Sequence, residues 1–134
     1  HSKAFLPPEE RLIESYPDNA PFQIPIEVLI PEKTDGLVVA EKSISVSHIV
    51  NGCSRLQPVV MLIGQAAGAL AALASKYSIQ PRGVDYRDVQ DVLLNEKCQL
   101  FPYIDVYGDD PDFIEIQKKA LNGEFKDNKE FKYY

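Results

Sequence analysis

The residues best placed to do chemistry lie in the stretch HIVNGCSRLQP, His48 to Pro58. His48, Asn51, Ser54, Arg55 and Gln57 crowd polar groups against an apolar, alanine-rich run that follows at once. That run reads as a helix from about Pro58 to Tyr77. Pro58 suits the first helical turn, where a missing N–H costs nothing, and Ala, Leu and Met are strong helix formers. The first N–H groups of a helix have no intrahelical partner, and the dipole is positive there. Such an end, with Arg55 beside it, can receive an electron-rich group: a phosphate, or a carbonyl carrying partial negative charge. His48 is the titratable side chain of the stretch. It is a weak candidate for an acid or base and reads more readily as a hydrogen-bonded structural histidine. On pattern alone, the whole stretch also reads as a solvated loop beside a core helix.

The helix behind it admits three readings. A membrane span needs ~20 apolar residues and interfacial aromatics. Pro58 to Ala74 is shorter, has Gln65 inside it, is rich in Ala and Gly, and has no aromatic belt. No membrane span is therefore expected. A packed core helix is the second reading. Gly64, Gly68 and Ala72 recur every fourth position and share one face, so another backbone could approach closely there. In the third reading, the start of the helix is part of a ligand site.

Composition narrows the field. The chain has 134 residues, the size of one ordinary domain, with 45% hydrophobic and 25% charged residues. Its net charge is −6 and its 14 basic residues are scattered. Nucleic acid binding needs clustered Lys and Arg to neutralise phosphates, so no nucleic acid partner is expected. Cys53 and Cys98 form no CxxC and no Cys/His cluster, which argues against a zinc site; one disulfide between them is possible, but two free buried thiols are expected. The opening HSKAF has neither the basic nor the apolar region of a signal peptide. It also lacks an initiator Met, so the chain is expected to be a piece of something longer.

Periodicity then supplies the elements. Residues 1–20 read as an irregular lead-in with three prolines. In PFQIPIEVLIP, residues Phe22, Ile24, Ile26, Val28 and Ile30 alternate on one face, with Leu29 the exception. That predicts a half-buried strand, placed at an edge because Pro25 has no N–H to give. LVVA, Leu37–Ala40, predicts a short strand buried on both faces. A weakly alternating segment through Ile44 and Val46 leads into a loop at Asn51–Gly52. Asp85 predicts an N-cap, with Val84 and Val89 at the spacing of a hydrophobic staple, before an apolar face of Tyr86, Val89, Val92 and Leu93. Asp110 and Pro111 predict the start of a third helix and Gly123 its end, with Phe113, Ile116, Gln117 and Ala120 in one stripe. The expected fold class is α+β, with a small two- or three-stranded sheet near Phe22–Val46 and three main helices.

One family resembles this arrangement. GLVVAEKSISVSHIVNGCSRLQPVVMLIGQAAGALAALA is similar to the C-terminal segment of FAD-dependent oxidoreductases of the glutathione-reductase-like superfamily. The resemblance rests on Val39–Ala40, Ile44–Ser45, Ser47–His48, Arg55, Pro58 and Gly64–Gln65–Ala66–Ala67–Gly68, and covers residue 21 to about 98. It implies a fragment of a larger Rossmann-like FAD-binding fold, with the helix N-terminus at the pyrimidine end of the flavin. It implies that N–H groups around Pro58, Val59 and Val60 face the flavin C2 carbonyl, with Arg55, Leu56 and Gln57 along the same edge. Negative charge builds at that edge on reduction, so a helix N-terminus there would favour reduced flavin.

Departures from the family pattern shape the expectation. Many relatives carry Gly after Val-Ala, where the backbone passes the cofactor; here Glu41–Lys42 follow. Relatives often carry a second His where Asn51 stands, which leaves His48 as the matching catalytic candidate. The glycine-rich turn that holds the FAD pyrophosphate is not in these residues, because Gly36, Gly52 and Gly64 do not form G-x-G-x-x-G. The expectation is a flavin-edge portion, residues 21–98, that needs the remainder of a parent chain to bind FAD or catalyse. Residues 99–134 are expected to form a helical tail. That tail resembles ones on proteins of polysaccharide-degrading bacteria, some catalogued as xanthan lyases. The resemblance implies an alternative, an accessory or interaction module in polysaccharide degradation, with a periplasmic or extracellular parent. Unpaired strand edges near Phe22–Val46 would favour a homodimer.

Overall fold

The computed structural model describes residues 22–124. Four helices carry the fold: α1 (His48–Ser54), α2 (Gln57–Tyr77), α3 (Tyr86–Asn95) and α4 (Phe113–Leu121). Short 3-10 turns stand at Ile26–Leu29, Glu41–Ser43 and Pro81–Gly83. No strand element occurs among the described residues, so the expected α+β fold with a two- or three-stranded sheet is overturned. The residue 1–20 lead-in and the end of the expected tail lie outside the described residues.

The failure of the expected strands has a local cause. Pro25 cannot donate, but its carbonyl accepts from Val28 N–H at 3.3 Å and opens a 3-10 turn. A three-residue period then replaces the two-residue one. Ile26 and Leu29 share a side, and Leu29, the exception to the alternation, becomes the buried residue at 3% exposure. Phe22, expected on the buried face, is 58% exposed. In Leu37–Ala40, expected to be buried on both faces, Leu37 is exposed, the other three are half-buried, and the segment joins no ladder. Single bonds tie the segments instead: Val39 N–H to the Leu29 carbonyl at 2.8 Å, and Ser45 N–H to the Val28 carbonyl at 3.0 Å.

α2 is the spine. Ile63, Ala67, Leu70, Leu73 and Ala74 face inward, and Leu70 is wholly buried. They pack on Val84 and Val89 of the α3 side and on Leu29 and Ile44 of the irregular segment. By length and hydropathy α2 would also pass as a membrane span, although a third of its apolar window is buried within the chain. The helix ends where Ser78 takes a left-handed conformation (φ 54°), with Ile79 N–H returning to the Ala74 carbonyl at 3.0 Å. Arg82 then clips the 31–36 turn. Its guanidinium lies 2.7 Å from Asp35 and donates to the Glu32 carbonyl at 3.3 Å, while Gly36 N–H donates to Gln80 Oε1 at 2.7 Å.

α3 starts as expected, with Asp85 accepting from Arg87 N–H at 2.9 Å. Its buried face is rotated from the expected one. Val89 and Leu94 are buried, whereas Tyr86 and Val92 stand exposed.

Leu94 begins a second, smaller core with Phe101, Tyr103, Val106, Phe113 and Ala120. Its helix α4 starts two residues after the expected position. Asp110 caps the preceding turn, accepting from Tyr107 N–H at 2.6 Å, and offers no cap to α4. Gly123 ends α4 as expected, in the left-handed region at φ 85°. An exposed Glu115–Lys119 pair at 2.6 Å runs along α4 in the favourable order, holding Glu115 below and Lys119 above their ordinary pKa values. A second ion pair, Lys118–Asp91 at 2.7 Å, ties α4 to α3.

Gly108 sits where a side chain has no room. A Cβ there would lie 2.7 Å from Lys97 Cβ and 3.3 Å from the Lys97 carbonyl oxygen. Neither atom is the end of a flexible chain, and Lys97 is itself at φ 61°. Gly108→Ala is expected to cost about 1–3 kcal/mol, read as a lower urea midpoint at unchanged slope.

Candidate functional site

The stretch expected as a polar loop is largely a helix. Ser47 caps α1 by accepting from Val50 N–H at 3.3 Å, and the helix runs through Gly52 to Ser54. Sequence reading missed it because Asn51–Gly52 is a strong turn signal, while a seven-residue helix shows little periodicity. Ser47 was the available clue, as a hydroxyl N-cap. Arg55 closes α1, its N–H reaching the Asn51 carbonyl at 3.2 Å. Leu56 is extended (φ −72°, ψ 141°), and the chain re-enters helix at Gln57. The site is thus a corner between two helices.

Each expected residue has a definite place on that corner. Leu56 is the N-cap position of α2 and offers no side-chain acceptor, so the first turn is uncapped. Pro58 has no N–H. Val60 is buried, and its N–H is taken by the Leu56 carbonyl at 2.9 Å. Three backbone donors of the corner have no hydrogen-bond partner among the described residues: that of Leu56 and, in the first turn of α2, those of Gln57 and Val59. The Arg55 side chain is exposed and makes no ion pair or hydrogen bond among the described residues. His48 is the first residue of α1. Its ring is exposed and makes no hydrogen bond among the described residues, so no fixed structural role holds it there.

Exposed apolar side chains occur on both helices of the corner and on the residue between them. Ile49, Leu56 and Met61 are exposed, Met61 at 72%. Further along the same helix, a Cβ built on Gly64 or on Gly68 meets nothing within 4 Å. The small-residue face expected to pack closely is therefore open among the described residues. A groove of about 710 Å³ runs along another flank of α2, bounded by the Phe22–Leu29 segment, α3 and α4. It is lined by Val59 and Ile63 but not by Arg55 or Gln57, so it meets the corner only at Val59. Cys53 is exposed and Cys98 half-buried; both are free, and Cys53 is not the buried thiol expected. No group of three or more His, Cys, Asp or Glu capable of holding a metal occurs among the described residues.

In chemical terms, the corner can take a flat, partly apolar group with an electron-rich edge. Unpartnered N–H groups, the positive end of a 21-residue helix and the Arg55 guanidinium would serve that edge. Residues 5–93, more than half of the chain, match the family described as FAD dependent oxidoreductase. The chain belongs to the FAD dependent oxidoreductase family. No curated protein and no solved structure matches it.

The corner of this oxidoreductase-family chain fits the polar edge of a flavin in donor type and charge. Glu41 adopts the left-handed conformation (φ 61°) that glycine takes freely, in a 3-10 turn packed on α2. Glu41→Gly is expected to relieve about 1–2 kcal/mol of left-handed strain, partly offset by the freer unfolded chain. A modest net rise in urea midpoint is the expected reading; a fall would show that the glutamate side chain holds the turn.

Proposed function

We propose that this chain is the flavin-edge portion of an FAD-dependent oxidoreductase, and that it works only with the remainder of a parent flavoprotein. The uncapped start of α2 carries the reading: Gln57 and Val59 present free N–H groups beside unpaired Arg55, in a chain of this family. FAD, when bound, supplies the redox chemistry by accepting and passing on electrons. The chain's own part is to bind and to bias. The N–H groups of Gln57 and Val59 donate to the flavin's C2 carbonyl edge, and Arg55 adds charge beside it. Ile49, Leu56 and Met61 cover the ring and keep water from the edge. Charge that grows on this edge during reduction is better stabilised by fixed donors than by water, so the corner favours the reduced cofactor. The open Gly64–Gly68 face supports the same reading, because it leaves room for another part of the parent fold to lie against α2.

The test uses the parent protein. It is expected to purify yellow with bound FAD. Gln57→Pro removes one backbone donor at the helix position proline tolerates best, and Leu56 before it is already extended as proline requires. It should weaken retention of the oxidised flavin roughly two- to tenfold, the worth of a hydrogen bond to a neutral carbonyl. Gln57→Ala keeps that N–H and should retain flavin like the unaltered protein. A colourless parent that ignores added FAD would sink the proposal.

A further inference from the structure

We draw no further inference here: the strongest candidate, the half-open apolar groove between the Phe22–Leu29 segment, α2, α3 and α4, carries nothing because nothing in the structure shows what covers it.

Discussion

Replacing Gln117 with alanine is expected to destabilise the C-terminal part of the chain by about 3 kcal/mol. Gln117 is polar, sits on the inward stripe of α4 and is 0% exposed. Its Oε1 accepts from Leu100 N–H at 3.0 Å and Phe101 N–H at 2.6 Å, and its Nε2 donates to the Phe101 carbonyl at 3.0 Å. One side chain thus bonds three backbone groups of a segment without helix or strand, and is the partner of both its N–H groups. Alanine strands the Leu100 and Phe101 N–H groups at once, while the Phe101 carbonyl keeps Tyr103 N–H at 2.9 Å; each stranded donor costs about 1–3 kcal/mol where water cannot reach. That is a large share of the total stability of an ordinary domain, about 5–15 kcal/mol.

The loss should be local. The two buried clusters share no residue, so hydrogen exchange should quicken at Leu100, Phe101 and α4 while the middle of α2 keeps its protection. Gln117→Glu separates the two halves of the clip. It keeps an acceptor for the two N–H groups but sets an oxygen against the Phe101 carbonyl and buries a charge, so it should also destabilise. An alanine variant with unchanged urea midpoint and unchanged exchange at Leu100 and Phe101 would contradict this account.

Substitution at Gly64 and Gly68 should have opposite effects in two settings. In the 134-residue chain the added atoms meet nothing, and Gly→Ala in an exposed helix interior removes backbone freedom only from the unfolded state. Each change should therefore stabilise by up to about 1 kcal/mol. In the parent flavoprotein, leucine at either position should push away whatever lies on that face. Overpacking of this kind costs about 1–3 kcal/mol, or roughly five- to a hundred-fold in FAD retention. The measurements are urea midpoints for the isolated chain and flavin content after gel filtration for the parent. Unchanged FAD retention in the parent Gly68→Leu variant would mean that the face stays open there too, and would remove one support of the proposed function.

How much of this was legible beforehand differs from residue to residue. The long helix, the Asp85 cap, the Gly123 stop and the α4 stripe holding Gln117 could all be read from the chain. Each depends on neighbours within about one helical turn, and that information is local. The corner residues Arg55 to Val60 were also legible as the start of a helix. Which of their donors stay free was not, because that depends on Leu56 turning its carbonyl to Val60 N–H. The strands were misread because period-two alternation states which residues prefer burial but not what pairs with them. Without a ladder, Pro25 and Leu29 settled the segment into a 3-10 turn.

The sequence by itself determined the helical spine, its caps and stops, the absence of a clustered basic surface, and the membership of the chain in a flavin-dependent family, since these rest on residue types and short spacings. Tertiary structure decided the rest. It placed Leu29 in the core, buried Gln117 as a three-point clip, put Glu41 in a conformation suited to glycine and left the Gly64–Gly68 face open. Each of those outcomes is set by what a residue meets across the fold, and packing between segments far apart in the chain leaves no periodic mark within either one.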